Sequence, residues 1–322
     1  MSQQRKRTAP RFGVYRPTAS DAFALKGKES PLLGGSLRFA SWNIHWGAGA
    51  ELQDARRFSR LEVQAHLEQI VVLVQEQGVD VLALQEVDRD CLRSAEIDQL
   101  TWLREMTGLE HASFATTWDA AWVPHPITAP PSQQYGRMWA GQAVLSRFPI
   151  RSQRRHALPQ PARNGRLYNR FYLHRCIQEL VLDLGGGRYL RVFNVHLEAF
   201  DNANRRAQAR ILSRLLRQCD GDGICLGDFN ALPPQAGQLS GFVDEPGTDF
   251  HGDDTMASLV SGGWRPLGQG HTFPAHAPSR RLDHVLLSPG LKGTLAEPLP
   301  SLASDHLPLF GALEIDDATP KI

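Results

Sequence analysis

Leu37-Arg38-Phe39-Ala40-Ser41-Trp42-Asn43 and Val79-Asp80-Val81-Leu82-Ala83-Leu84-Gln85-Glu86 are the two runs whose reading decides the fold. The first is a short β-like run and the second a buried strand. Between them Leu67, Ile70, Val71 and Val74 share one helical face, and Gly78 stands just past the end, where a left-handed residue stops a helix. Strand, helix, strand is a βαβ unit and predicts an α/β protein. Further along, Ser94 is placed to cap a second helix through Met106, stopped by Gly108. Residues 123–131 are a Pro-rich loop, and 141–146 resume as strand. Residues 176–184 and 189–197 are strands joined by Gly185-Gly186-Gly187, a hairpin signal. Ile211, Leu212, Leu215 and Leu216 stripe a helix over about 202–219, and 223–227, 282–287 and 307–315 read as strands. Strands outnumber helices and no linker divides them. The expectation is one α/β domain over 37–316, two packed sheets with helices outside. A polar, Gly- and Pro-containing arm (1–36) precedes it and a short tail (317–322) follows.

Composition narrows the function. In 322 residues, 42% are hydrophobic and 21% charged, and 35 Lys plus Arg against 34 Asp plus Glu leave a formal charge of +1. Such balance excludes a polybasic nucleic-acid wrapper and an intrinsically disordered chain. No apolar run reaches the ~20 residues of a membrane-spanning helix, and no apolar segment follows the basic start, so no secretory signal is read. Cys91, Cys176, Cys219 and Cys225 form no CxxC pair and read as reduced thiols. A cytoplasmic location is expected.

Polar residues stand at or near the ends of apolar strands: Asn43, Glu86, His196, Asp228 with Asn230, Asp283, and Asp305 with His306. A lone carboxylate there is usually a loop residue meeting water. Seven such placements point instead to strand ends converging on one cleft, where α/β proteins bind ligands. Glu86, Asp228 and Asp305 with an Asn make a hard oxygen site suited to Mg²⁺ or Mn²⁺, whereas the Cys and His spacing of a zinc site is missing. An Asp beside a His orients the ring and favours its cationic form. Acid, metal and imidazolium together suit attack of water on a phosphate ester.

Taken in order, these segments resemble the signature blocks of the endonuclease/exonuclease/phosphatase superfamily. The matching blocks are Ser41-Trp42-Asn43-Ile44, Leu84-Gln85-Glu86-Val87, Ala143-Val144-Leu145-Ser146-Arg147-Phe148-Pro149 and Asn194-Val195-His196-Leu197-Glu198. Gly227-Asp228-Phe229-Asn230, Arg281-Leu282-Asp283-His284 and Ser304-Asp305-His306 complete the set. The resemblance implies a four-layered, deoxyribonuclease-I-like α/β sandwich. It implies that Glu86 is the principal metal ligand, with Asn43 beside it and Asp305 a further metal-side carboxylate. Asp228 would hold or deprotonate the attacking water and Asn230 would position it. His306, oriented by Asp283, would contact the scissile phosphate, and His196 would contact phosphate or assist the leaving group. One departure is His45, where abasic-site endonucleases tend to carry Asp.

Weaker signals remain open. Eight arginines and no acid lie between Arg147 and Gln178, with Tyr168, Phe171 and Tyr172 among them. They form either a nucleic-acid or phosphoinositide surface or a solvated stretch balanced by acids elsewhere. If the patch is real, Arg170 or Arg175 is the expected substrate contact. Arg205, in the first turn after His196, either faces the cleft or faces solvent. Trp42 and Trp46 are either stacking platforms or packing residues.

The expected activity is a Mg²⁺- or Mn²⁺-dependent phosphodiesterase or nuclease acting on a phosphate ester, nucleic acid favoured, with no protein partner. The alternatives are a phosphatase or a lipid phosphodiesterase, inositol-phosphate- or sphingomyelin-directed. A catalytically silent phosphate-binding relative fits less well, because every position needed for metal, water and phosphate carries a competent residue.

Overall fold

A computed structural model describes residues 22–25, 35–51, 56–169, 172–294 and 296–315. Its first sheet orders β1 (Ala22–Leu25), β4 (His111–Val123), β5 (Gly136–Ser146), β3 (Val81–Asp88), β2 (Gly35–Asn43), β14 (Leu309–Ile315) and β12 (Lys292–Gly293). The short β13 (Glu297–Pro298) also pairs with β14. The second sheet orders β10 (Arg265–Pro266), β11 (Asp283–Leu287), β9 (Gly223–Asp228), β8 (Arg188–His196), β7 (Cys176–Gly185) and β6 (Ile150–Ala157). Each sheet contains one parallel pair, β2 with β3 and β8 with β9. The crossovers are α1 (Arg60–Glu76) and α4 (Asn202–Arg217), so the βαβ unit read in the sequence occurs twice.

Strand periodicity builds the layers. Leu37 and Phe39 of β2 and Val81 and Ala83 of β3 face inward, meeting Leu190 and Val192 of β8, Ile224 and Leu226 of β9 and Val285 and Leu287 of β11. The intervening Trp42, Leu82 and Leu84 turn outward to pack on Val63, Leu67 and Ile70 of α1 and Leu100 and Leu103 of α2 (Gln99–Thr107). On the other flank, Phe193, Val195 and Cys225 pack on Leu212 and Leu216 of α4 and Met256 and Leu259 of α5 (Thr255–Val260). The result is the four-layered sandwich, helix–sheet–sheet–helix.

Helix ends follow local chemistry. Ser59 and Glu62 form a reciprocal capping box that starts α1. The second helix begins later than its sequence suggests. Asp98 is its cap, accepting from the Thr101 N–H, while Ser94 is drawn off to donate to the buried Asp88 carboxylate. The stretch expected to be an arm contributes β1, paired antiparallel with β4; the rest of residues 1–34, and residue 316 with the expected tail 317–322, lie outside the described residues. The long β4 and the Arg-rich β6 are among the strands that were not anticipated. No helix among the described residues is long and apolar enough to cross a membrane.

Candidate active site

The period of two that builds the inter-sheet core also builds the site. Continuing the inward-facing series past the apolar residues gives Asn43 on β2 (through Ser41), His196 on β8 (through Asn194) and Asp228 on β9; Asp283, first residue of β11, belongs to the same series. The parallel register sets His196 beside Asp228, and the antiparallel register sets Asp283 on the other side of Asp228. Close strand approach there requires Gly227, where a Cβ would lie 2.0 Å from the Val195 carbonyl oxygen. Strict alternation would turn Glu86 away from the interior. A β-bulge between Leu84 and Val87, with Glu86 at φ +57°, re-aims that carboxylate toward Asn43.

Asp228 sits at the centre. It accepts from Asn43 Nδ2 at 3.1 Å, from the Asn230 backbone N–H at 2.8 Å and from Asn230 Nδ2 at 3.3 Å. His196 Nε2 is 3.3 Å from Asp228 Oδ2 and 3.9 Å from Glu86 Oε1, and His306 Nε2 is 3.8 Å from Asp228 Oδ2. His306 is fixed from behind: Nδ1 lies 2.8 Å from Asp283 Oδ2, the Trp42 indole N–H donates to the His306 carbonyl, and the Phe273 ring packs against it, tilted by 51° with centroids 4.7 Å apart. Thr272 Oγ1 accepts the Asp283 N–H, and the Ser304 hydroxyl donates to the Asn43 carbonyl, tying the last block to the first.

Charge separates the roles. Burial opposes ionisation of Asp228, but His306 and His196 outweigh it and hold its pKa below the usual carboxylate range. Burial likewise disfavours a charged His306, yet Asp283 and Asp228 together push its pKa well up, favouring the imidazolium form. Burial raises Asp283, against the pull of His306. For Glu86, burial is again overcome, here by His196 and His45 with help from Arg93 and Arg175, and its pKa is lowered.

Under the site lies a polar floor that sequence reading missed. Gln85 Nε2 donates to Asn194 Oδ1 at 2.7 Å, and Asn194 Nδ2 donates to the Leu84 and Ala143 carbonyls and to Gln178 Oε1. Gln142 donates to the Asn194 carbonyl and Gln178 to Ser113. Asn194 stands two residues before His196 on the same inner face, so polar residues continuing the site's own period were the available signal.

The donor set fits a hard cation. Glu86, Asp228, Asp283 and Asp305 have only imidazoles as ion-pair partners among the described residues, and buried Asp283 Oδ1 has no hydrogen-bond partner. Asp228, Asp283 and His306 offer atoms within 4.8 Å of one another, but they are engaged with each other and fully buried. Glu86 is the open carboxylate, its side chain 30% exposed. Asp305 approaches the same turn of chain, 3.6 Å from His45.

The arginines divide. Arg205 does not join the cleft: it is 0% exposed and is consumed by Asp253, Asn202 and the Glu198 and Ala199 carbonyls. Arg170 lies outside the described residues. Arg175 is 6% exposed, its Nε has no hydrogen-bond partner, and its charge is felt at Glu86. Of the rest, Arg147 pairs with Asp80, Arg151 with Asp183 and Arg163 with Asp201, while Arg155 is buried on backbone carbonyls. Trp42 and Trp46 are packing residues.

Such a sandwich, with imidazole–carboxylate pairs where its parallel strands end, defines the class of phosphoesterase-fold hydrolases. The chain belongs to the endonuclease/exonuclease/phosphatase family, whose sequence profile matches residues 40–306 and whose members are hydrolases of phosphate esters. A family structure from Beutenbergia cavernae is similar with a TM-score of 0.65 and 20% identity, covering 87% of this chain and 72% of that one. A mannosyl-6-phosphatase of Bacteroides thetaiotaomicron gives 0.56 at 15% identity, over 86% of this chain and 99% of that one. D. rerio TDP2 complexed with single-strand DNA product gives 0.56 at 13% identity, over 87% and 99%. No curated protein matches the sequence.

Proposed function

We propose that the chain is a divalent-metal-dependent phosphodiesterase that directs water onto a phosphate ester, with nucleic acid the favoured substrate. The observation that carries this reading is Asp228 Oδ2 held 3.3 Å from His196 and 3.8 Å from His306, the second of which is paired through Nδ1 with Asp283 at 2.8 Å. Asp228 takes the proton of the attacking water, which Asn230 and Asn43 orient. The water oxygen forms its bond to phosphorus as the ester P–O bond breaks. His306 donates to a non-bridging oxygen, and His196 stabilises the departing oxygen. Glu86, with Asn43 and Asp305, would hold Mg²⁺ or Mn²⁺, which supplies charge neutralisation at the phosphate. Arg175, a buried cation with no carboxylate ion-pair partner among the described residues, binds the anionic substrate. An unpaired buried charge is costly, and a phosphate relieves that cost.

Nucleic acid is favoured because a protein of this fold, D. rerio TDP2, binds a single-strand DNA product. A phosphatase reading draws on the mannosyl-6-phosphatase of the same fold. The two separate on bis(p-nitrophenyl) phosphate against p-nitrophenyl phosphate, each with Mg²⁺, Mn²⁺ or EDTA, followed by single-stranded, abasic and tyrosyl DNA, RNA, inositol phosphates and sphingomyelin. The proposal expects metal-dependent cleavage of the diester over the monoester. Turnover that survives EDTA, or confined to monoesters, contradicts it.

A further inference from the structure

Gln99, the first residue of α2, is an uncharged side chain outside the cleft, yet it is 0% exposed. Its amide makes two bonds, and only one orientation satisfies both. Oε1 accepts the Asp88 N–H at 2.9 Å, and Nε2 donates to the Trp46 carbonyl at 2.7 Å. One buried side chain thus joins the end of β3 to the turn that follows β2.

Both partners belong to backbone held in a conformation that non-glycine residues avoid, and that persists only where the surroundings over-determine it. Asp88 comes two residues after Glu86, the left-handed residue (φ +57°) of the bulge that re-aims the site's open carboxylate. Trp46 (φ +43°) follows His45 (φ +45°) in the turn His45–Gly47. Each segment aims one member of the cation site. The His45 backbone N–H donates to Asn43 Oδ1 at 3.1 Å, which leaves Asn43 Nδ2 to face Glu86 at 3.4 Å and Asp228 at 3.1 Å. On β3, pairing with β5 resumes at Val87 and Asp88, and the Asp88 carboxylate is locked by two bonds from Arg93 and one from Ser94, each 2.9 Å.

The last β2–β3 pair is Asn43 with Gln85, after which the Ile44 N–H donates to the Gln85 carbonyl and the chain turns away. The Gln99 amide takes the place of the departed strand. The fit is close, since a Cβ on Gly47 would come within 3.3 Å of Gln99 Nε2. The His66 ring, 2.8 Å from the Gly47 carbonyl, supports the turn from α1, while Gln99 is bonded to both segments.

We propose that Gln99 is a positioning residue for the cation site, its amide bridge holding the Glu86 bulge and the turn beside Asn43 in one fixed relation. This rests on the reading of Glu86 as a cation ligand. Groups that hold a ligating carboxylate set metal affinity as well as rate, and their loss costs about 10–100-fold in affinity.

The test is a Mn²⁺ titration of the full chain followed by electron paramagnetic resonance of the free ion. It compares wild type, Gln99→Met, Gln99→Asn, Glu86→Gln and the double variant Gln99→Met with Glu86→Gln; circular dichroism checks each fold. Gln99→Met, equal in length but unable to make either bond, raises the Mn²⁺ dissociation constant about 10–100-fold in the wild-type background. In the Glu86→Gln background it changes the constant less than about threefold, because the carboxylate it positions is gone. Gln99→Asn, whose amide stops one methylene short of the bridge, also weakens binding and decides the matter if the Met variant does not fold. Either folded single variant within about twofold of wild type overturns the proposal. Equal weakening by Gln99→Met in both backgrounds also overturns it, because a merely structural loss does not depend on Glu86. Glu86→Gln by itself reports on the underlying reading, which fails if that variant binds Mn²⁺ as wild type does. A wild-type chain that takes up no Mn²⁺ overturns the reading and the proposal together.

Discussion

Replacing Asp228 with Asn keeps the shape of the central side chain and removes its charge. Three donors converge on this carboxylate, and two of them, Asn43 Nδ2 and Asn230 Nδ2, reach Oδ2. The best-placed donor, the Asn230 N–H at 2.8 Å, reaches Oδ1 and will hold the amide oxygen there. The new NH₂ group must then face two NH₂ groups, leaving buried donors unsatisfied at about 1–3 kcal/mol of folding stability. Catalytically, the variant loses the proposed base, a loss of about 10²–10⁴. It also loses the charge 3.3 and 3.8 Å from the two imidazoles. We expect turnover to fall about 10³–10⁴-fold, or roughly 4–5.5 kcal/mol at 1.36 kcal/mol per tenfold. The assay is steady-state hydrolysis of bis(p-nitrophenyl) phosphate with saturating Mn²⁺, alongside urea unfolding. A variant that is folded and within about tenfold of wild type refutes the role assigned to Asp228.

Other predictions follow from the same geometry. Asp283→Asn removes the largest support for charged His306. Because His306 is raised in the fold, its contribution is complete below its unfolded pKa of ~6.5 and disappears as pH climbs through the raised folded value. The alkaline limb of kcat/KM should therefore move to lower pH in Asp283→Asn, and an unmoved limb contradicts the pairing. Asn194→Leu strands the Leu84 and Ala143 carbonyls and Gln178 Oε1 beneath the site, and urea unfolding should record a loss of at least about 3 kcal/mol. Arg205→Ala breaks a buried ion pair with Asp253, so stability should fall by about 3–5 kcal/mol while kcat/KM per folded molecule holds. Lost specific activity would return Arg205 to the cleft. Arg175→Ala should raise KM at least about tenfold without lowering the melting temperature, since no ion pair among the described residues is lost; a fall in stability with unchanged KM shows a structural arginine instead.

The architecture was legible wherever burial imposes a period. β2, α1 and β3 carry unbroken apolar patterns because both sheet faces and one helix face are covered, and the site residues stand where those patterns stop. β6 was illegible for the opposite reason. It is the outermost strand of its sheet, and the exposed arginines at 151 and 154 are the charges that keep such an edge from pairing further, so they imitate a binding patch. The second helix start was misplaced because Ser94 and Asp98 are both plausible caps, and only the buried Arg93–Asp88 pair, which claims Ser94, separates them. Arg205 was ambiguous because a first-turn arginine reads alike whether it faces a cleft or a buried acid 48 residues away. The orientation of Glu86 depends on a bulge, and no local sequence pattern announces one.

The most direct test of the convergence on one cation is an anomalous-difference map from crystals soaked in Mn²⁺. The account predicts a single peak between the Glu86 and Asp305 carboxylates, beside Asn43. A peak confined to Asp228, Asp283 and His306, or none near Glu86, contradicts it.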